Sequence, residues 1–389
     1  MPIPRINENE IHRSQNQDPM KIACYNIQNL FHRHKSFMGQ TLSHNIKQWV
    51  GELDALMRRA DKSPNDIDRV RELSFLLGFD QVDMHHYGVL RSRNGELYLK
   101  QGAKGNEPKA GTSSLWNGWL ALQTVPVPPK AQMHKAKSIL DVRADVLLLQ
   151  EVEDLPSLVE FHNIFLKPTE APWETEIHVF EGNEAKGRNF GVVLCNGYRL
   201  QSFVTHRYER NEKGHLLFPL DCQEYHITSP SGAGFVVLLA QFSKDSDIQR
   251  REQARALAKI YNGLLEKGQD AIVVGGTFYE PSFSNTLAPL FKGTDLHSTS
   301  RHPEFVSDHD MGDHRHYHSM TAYRKGVNLK QQDYLLVSPI LWGSTVGAGL
   351  HRKGIWPGNH GKWPIYPSLQ KKGQAASEHP VLWACIDAK

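Results

Sequence analysis

Ala271-Ile272-Val273-Val274-Gly275-Gly276-Thr277-Phe278-Tyr279-Glu280-Pro281 is the stretch on which the reading of the fold turns. Apolar, mostly β-branched residues that stop at two glycines predict a buried strand delivering a loop. A buried strand that opens on a Gly-Gly turn is where an α/β protein commonly sets its working side chains. The side chain that follows the glycines is Thr277, whose hydroxyl cannot accept a proton near neutral pH.

Working outward, similar apolar runs recur. Residues 20–31 predict a short strand with Asn26 and Asn29 at its end, where a plain strand-end turn also accommodates Asn. Residues 144–153 predict a strand that terminates at Gln150, Glu151 and Glu153. Such carboxylates suit a metal-binding edge, and equally the start of the helix expected over 155–166. Residues 177–180, 191–195 and 235–241 predict further strands, and 247–267 an amphipathic helix. Residues 331–338 predict a strand carrying Asp333, and Ser377-Glu378-His379-Pro380 leads into a last one.

Between the first strand and residue 144 lie about a hundred residues of another kind. Helical spacing appears over 43–60, 64–77 and 131–142. Arg93-Asn94-Gly95-Glu96 signals a hairpin, and 115–127 is Trp-rich and strand-like. Residues 1–19 are polar and aperiodic and are expected to be a disordered arm. The expected organisation is one domain over 20–389 with an insertion at about 33–133.

Composition narrows the function. With 389 residues, 39% of them hydrophobic, the chain can bury a large core. A net charge of only +3 excludes a polycation, so nucleic-acid binding would need a local patch. Arg188, Arg250, Arg251, Arg255, His351, Arg352 and Lys353 are candidates for a phosphate-facing rim, or else solvated charges. Trp356, Trp363 and Tyr366 suit base stacking, or pinning of their loop to the core. Cys24, Cys195, Cys222 and Cys385 show no metal-type spacing and read as buried thiols of a reducing compartment. No apolar run reaches membrane-spanning length and no hydrophobic leader core is visible, so a cytoplasmic protein without membrane contact is expected. Histidine is abundant, at 21 residues. Asp308, His309, Asp313, His314, His316 and His318 crowd one polar loop, either as metal ligands or as solvated residues.

Five short motifs occur in order, each at a strand end: Asn26-Ile-Gln-Asn-Leu-Phe31, Leu149-Gln-Glu-Val152, Gly276-Thr-Phe278, Asp333-Tyr-Leu-Leu-Val-Ser-Pro339 and Ser377-Glu-His-Pro-Val381. This set resembles the endonuclease/exonuclease/phosphatase family, whose best-known member is pancreatic deoxyribonuclease. It is most similar to a bacterial branch with a long insertion after the first motif. The resemblance implies a four-layer α/β sandwich of two packed mixed β-sheets flanked by helices, with the site at one sheet edge. It also implies attack of water on a phosphodiester, assisted by Mg2+ or Mn2+.

Transferred residue by residue, the resemblance implies that Asn26 and Glu151 are the metal-side pair. His379 is the base, Asp333 orients an imidazole, and Glu378 replaces an Asp before the base. Arg188 and Asn189 are candidate substrate contacts. Three positions depart from the family pattern: an imidazole position falls on Gln241, a carboxylate position on Thr277 and an amide position on Tyr279. Removing one such group typically costs an enzyme about 2.7–4 kcal/mol of transition-state stabilisation, and the effects do not add. The expected function is therefore an eroded, weakly active or inactive phosphodiesterase frame that binds a phosphate-bearing ligand, a nucleic acid or a protein. In that case no metal need be resident. The alternative is an active divalent-metal-dependent phosphodiesterase or nuclease rearranged around His379 and Glu151. A third reading, other acid–base chemistry by Tyr279 and His379, has no specific support.

Overall fold

The computed structural model describes residues 19–34, 44–57, 59, 61–77, 88–92, 101–102, 105–106, 118–122, 124–167, 175–184, 188–307, 331–358 and 363–387. Two mixed sheets form the centre. In chain order their strands are β1 (Met20–Asn26), β2 (Val146–Val152), β3 (Glu176–Phe180), β4 (Asn189–Leu194), β5 (Arg199–Thr205), β6 (Cys222–Thr228), β7 (Gly234–Gln241), β8 (Ile272–Thr277), β9 (His297–Ser298), β10 (Phe305–Val306), β11 (Asp333–Val337), β12 (Thr345–His351) and β13 (Val381–Ile386). The seven-stranded sheet runs β10-β12-β13-β1-β2-β4-β3 and the six-stranded sheet β5-β6-β7-β8-β11-β9.

The register places the site. In one sheet β1 runs parallel to β2, pairing Asn26 with Gln150, and antiparallel to β13. In the other, β7 runs parallel to β8, pairing Gln241 with Thr277, and β8 pairs Thr277 with Asp333 across the antiparallel β11. The carboxyl ends of β1, β2, β7 and β8 therefore gather beside the starts of β11 and β13. Strand ends of this kind are where α/β sheets expose ligand sites.

Alternation makes the layers. Ile22, Cys24, Val146 and Leu148 of one sheet face Tyr225, Val237, Leu239, Val273 and Leu335 of the other. On the outer side of the six-stranded sheet, Val236, Leu238, Ile272 and Val274 pack under helix α5 (Asp247–Glu266) through Ala254, Leu257 and Tyr261. On the outer side of the seven-stranded sheet, Ala23, Tyr25, Leu147 and Leu149 pack under α3 (Pro129–Val142) and α4 (Leu155–Phe161). Four layers result, as the resemblance implies. Strands buried on both faces carry unbroken apolar runs, which is why 272–277 reads so clearly in the sequence. The two glycines have a steric reason. A Cβ at Gly275 would lie 3.0 Å from Cys24 Sγ in the facing sheet, and one at Gly276 would lie 1.9 Å from the Ala240 carbonyl oxygen.

Within the stretch expected as an insertion at about 33–133, a ribbon pairs His32–His34 with Thr124–Pro126. Beyond it lie α1 (His44–Met57) and α2 (Pro64–Leu76), as the spacing predicts, and a pairing of Gly88–Ser92 with Gly118–Leu122. Residues 1–18, the hairpin signal at 93–96 and the histidine-rich loop at 308–318 lie outside the described residues.

Several expectations change. The helix predicted over 155–166 is α-helical only to Phe161 and continues as a π-turn through Leu166. His351, a candidate for the phosphate-facing rim, is the last residue of β12. Strands β5 and β6 were not anticipated. β5 is half exposed along its length, and β6 carries Gln223, Glu224 and His226. No helix among the described residues is long and apolar enough to cross a membrane.

Candidate functional site

The strand ends bring the sequence-derived residues into one hydrogen-bonded network. Asn26 Nδ2 donates to Glu151 Oε1 at 3.3 Å and to Thr277 Oγ1 at 3.2 Å. The Thr277 hydroxyl donates to Asp333 Oδ1 at 2.7 Å, and the Thr277 backbone N–H donates to Gln150 Oε1 at 2.9 Å. Gln241 Nε2 donates to Glu151 Oε1 and to the Tyr279 hydroxyl oxygen, both at 2.7 Å. His379 Nδ1 lies 2.9 Å from both oxygens of Asp333. Asn26, Glu151, Gln241, Thr277 and His379 are all buried. Thr277, Gln241 and Tyr279, the three positions where the resemblance implies other side chains, are thus bonded into this network at the shared strand ends, the candidate cleft.

The backbone is strained at two of these residues. Glu151 and Tyr279 both have φ of 60°, a left-handed conformation that costs a non-glycine residue on the order of 1–3 kcal/mol. Gln241 donates to both of these side chains.

Protonation follows from the contacts. Burial alone would depress the His379 imidazole, but the Asp333 carboxylate, with Glu151 and Glu378 behind it, holds it above its usual value. Donation from Nδ1 to Asp333 fixes the tautomer, and Nε2 makes no hydrogen bond among the described residues. Burial, then the nearby Glu151 charge, pushes the Tyr279 phenol well up, so it stays neutral and can donate. Its oxygen already accepts from Gln241, leaving the phenolic proton for another partner. Gln241 Oε1 is buried without a partner. Turning the amide round would point that oxygen at the Glu151 carboxylate, so the orientation described is the favourable one.

Arg188 forms close hydrogen bonds to both oxygens of Glu184, and its Nη1 lies 4.0 Å from Glu151 Oε1. Two other expected residues point elsewhere. The Glu378 side chain is 63% exposed and pairs with Lys372 at 3.3 Å, while its backbone N–H donates to Gln28 Oε1. Asn189 uses its amide on backbone, accepting from Gly182 N–H at 3.1 Å and donating to Glu153 O at 2.8 Å, so it holds strands together rather than meeting a ligand. In the candidate rim, Arg250 is buried against Glu280 and the carbonyls of Ser243 and Lys244. Arg352 stacks over Trp363, and Tyr366 donates to Asp141.

Two supports escaped the sequence reading. The fully buried Lys135 donates close hydrogen bonds to Ile27 O and Ala376 O, tying the loop after β1 to the loop before β13. Burial, followed by the Arg33 charge, drives its pKa well down. Its signal was the one charge on the Ala131/Lys135/Ile139 stripe of a helix. Glu153, which could have served a metal, accepts instead from the backbone N–H groups of Leu30, Phe31 and His32.

The implied Mg2+ or Mn2+ can be tested against these contacts. Magnesium wants near-octahedral oxygens at about 2.0–2.1 Å. Here Glu151 Oε1 is occupied by the N–H groups of Asn26 and Gln241, with a guanidinium beside it. A fixed unit charge about 4 Å away repels each added unit of positive charge by about 4 kcal/mol at an effective dielectric of 20. Among the described residues no three His, Cys, Asp or Glu are placed to hold a metal ion. As arranged, these residues do not fit a resident divalent ion.

Two mixed sheets packed face to face, helices outside, and the ordered motifs at one shared edge decide the architecture. The fold is deoxyribonuclease I-like. No family model and no curated protein matches the chain. Solved structures similar to it include an endonuclease/exonuclease/phosphatase family protein from Bacteroides thetaiotaomicron, at 11% identity and TM-score 0.44, covering 66% of this chain and 88% of that one. Another is the endonuclease/exonuclease/phosphatase from Bacteroides vulgatus, at 14% identity and TM-score 0.46, covering 66% and 91%. The human Nocturnin catalytic domain, solved with bound sulfate, is 12% identical at TM-score 0.44, covering 66% and 86%. Likeness at this level carries no argument about chemistry; within the deoxyribonuclease I-like fold, that has to come from the cleft.

Proposed function

We propose that the chain binds a phosphate-bearing ligand in this cleft and hydrolyses phosphodiesters weakly or not at all. The observation that supports the reading is Thr277, whose hydroxyl is committed between Asn26 and Asp333 where the family pattern has a carboxylate. Gln241 strengthens it, since a carboxamide clamped on Glu151 can neither accept nor release a proton. A nucleic acid is one carrier of such a phosphate, and a protein partner a further occupant of the same face.

The test pairs turnover with binding. Purified protein with magnesium or manganese should hydrolyse bis(4-nitrophenyl) phosphate no faster than a His379→Ala control, while calorimetry detects binding of that diester. Robust cleavage dependent on His379 would overturn the reading. Making Thr277→Asp, Tyr279→Asn and Gln241→His together should raise turnover if the fold is kept.

One observation favours the second reading, an active phosphodiesterase using Mg2+ or Mn2+: the His379–Asp333 pair is bonded as a base and its orienting carboxylate would be. Because His379 is held above its usual pKa, a base-catalysed rate would rise with pH through that raised value. A flat, metal-independent rate between about pH 6 and 9 excludes this reading.

A further inference from the structure

The cleft contains a cation that belongs to the chain. We infer that Arg188 stands in the electrostatic place of a divalent ion, so that the cleft binds phosphate without metal. This rests on the reading of the cleft as a phosphate-ligand site and adds how the charge is met.

Arg188 bridges two carboxylates, bonded to both oxygens of Glu184 and with Nη1 4.0 Å from Glu151. A bound metal ion would bridge acidic groups in the same way, yet a guanidinium keeps its charge at every working pH and needs no coordination shell. Its paired Nε and Nη2 groups are held by Glu184, so its part toward a ligand is the fixed positive charge it sets beside Glu151. The donors of the same network suit one kind of ligand. The Tyr279 phenol offers its proton because its oxygen is occupied by Gln241. His379 offers Nε2–H when protonated, its Nδ1 being held by Asp333. Lys244 Nζ lies 6.0 Å from the centre of the Tyr279 ring, adding positive charge at that side. Beside these donors sits the buried, unpartnered Gln241 Oε1, which suits a ligand carrying one hydroxyl or protonated oxygen among its phosphate oxygens.

Inorganic phosphate is the probe. Calorimetric titration of the full chain at about pH 6, where His379 is protonated, should give the same affinity in EDTA and in magnesium, within about twofold. Any Mn2+ that electron paramagnetic resonance detects on the native chain should be unaffected by Glu151→Gln. Arg188→Ala should weaken phosphate by about tenfold or more and at the same time create Mn2+ affinity, because Glu151 and Glu184 lose their resident cation. Arg188→Gln, which keeps more of the side-chain volume, should behave alike, with circular dichroism confirming the fold of both. Phosphate binding that appears only with magnesium would overturn this inference and leave the reading of the cleft standing. No phosphate binding in either condition would overturn both.

Discussion

Thr277 makes one donation, to Asp333, and accepts one bond, from Asn26, while fully buried. That uses the hydroxyl's one donor and one of its two acceptor lone pairs, so the residue is fitted to its place and not merely what remains when an acid is lost. Thr277→Val keeps the shape and removes one hydrogen bond from each of Asn26 and Asp333. It should cost about 1–3 kcal/mol, read by chemical denaturation. Thr277→Asp on its own should also destabilise at pH 7, since it sets a second carboxylate against Asp333. That penalty should shrink in acid, because the new carboxyl would have a folded pKa above its unfolded value of about 3.9. A Thr277→Asp protein as stable as the native one at pH 7 would show that Asp333 is screened some other way. His379 gives a second pH signature. A histidine raised above its unfolded pKa of about 6.5 contributes stability that is full below that value and lost as pH rises through the folded one. The stability gap between the native chain and His379→Gln should therefore narrow above about pH 6.5, and Asp333→Asn should remove the narrowing. A proton NMR titration placing His379 at or below its ordinary value would contradict the account.

Elements explain which parts the sequence revealed. Strands β1, β2, β7, β8, β11 and β13 are buried on most of their length, so their apolar runs were visible without knowledge of neighbours. β6 was not visible because its polar residues find partners only after folding, as when Gln223 donates to Phe180 O at 3.0 Å. β12 was obscured by Gly347 and Gly349, yet a Cβ at Gly349 would come within 2.6 Å of the Trp383 ring, so the glycine is there for close packing. The strand ends that meet at the cleft were legible as motif positions. The side-chain directions were not: Glu378 turns to solvent and pairs with Lys372, and Arg188 reaches between Glu184 and Glu151, neither of which spacing decides. The loop after β1 shows the same limit, since the acid that holds it, Glu153, lies more than a hundred residues away in sequence. Glu153→Gln can keep an oxygen where Oε1 accepts from Phe31 and His32, but it sets an NH2 group against the Leu30 N–H in place of Oε2 and removes the charge, which should cost about 1.5–3 kcal/mol. Hydrogen exchange should then accelerate at the amides of Leu30, Phe31 and His32. Unchanged exchange there would mean the loop is held by its flanks.

For the whole molecule the question is whether the inserted stretch is needed by the two-sheet core. The ribbon at its base pairs His32 with Pro126 and His34 with Thr124, and Val127 N–H donates to Phe31 O at 2.7 Å, so the chain leaves and returns at adjacent points. Past the ribbon, α1 and α2 bury Val50, Leu53, Met57, Val70 and Leu73, and α1 also packs on the strand Gly118–Leu122. Each of these elements thus finds a partner within the insertion. The cleft residues, by contrast, all come from core strand ends or the segments beside them, and Lys135, which ties two of those segments, lies after the ribbon. We therefore propose that the insertion is a separable unit. Joining His34 to Thr124 through a two-residue Asn-Gly turn in place of 35–123 extends an existing antiparallel pair, and a tight turn closes such a pair with little strain. The shortened chain should unfold cooperatively with a Tm within about 5 °C of the native one, equivalent to on the order of 1–2 kcal/mol for a domain of this size. It should also keep its phosphate affinity, since Arg188, Gln241, Tyr279 and His379 are all retained. A shortened chain that folds but no longer binds would place part of the ligand contact in the insertion. One that fails to fold would show that the insertion covers apolar surface of the core, a result that calorimetry and size-exclusion chromatography distinguish directly.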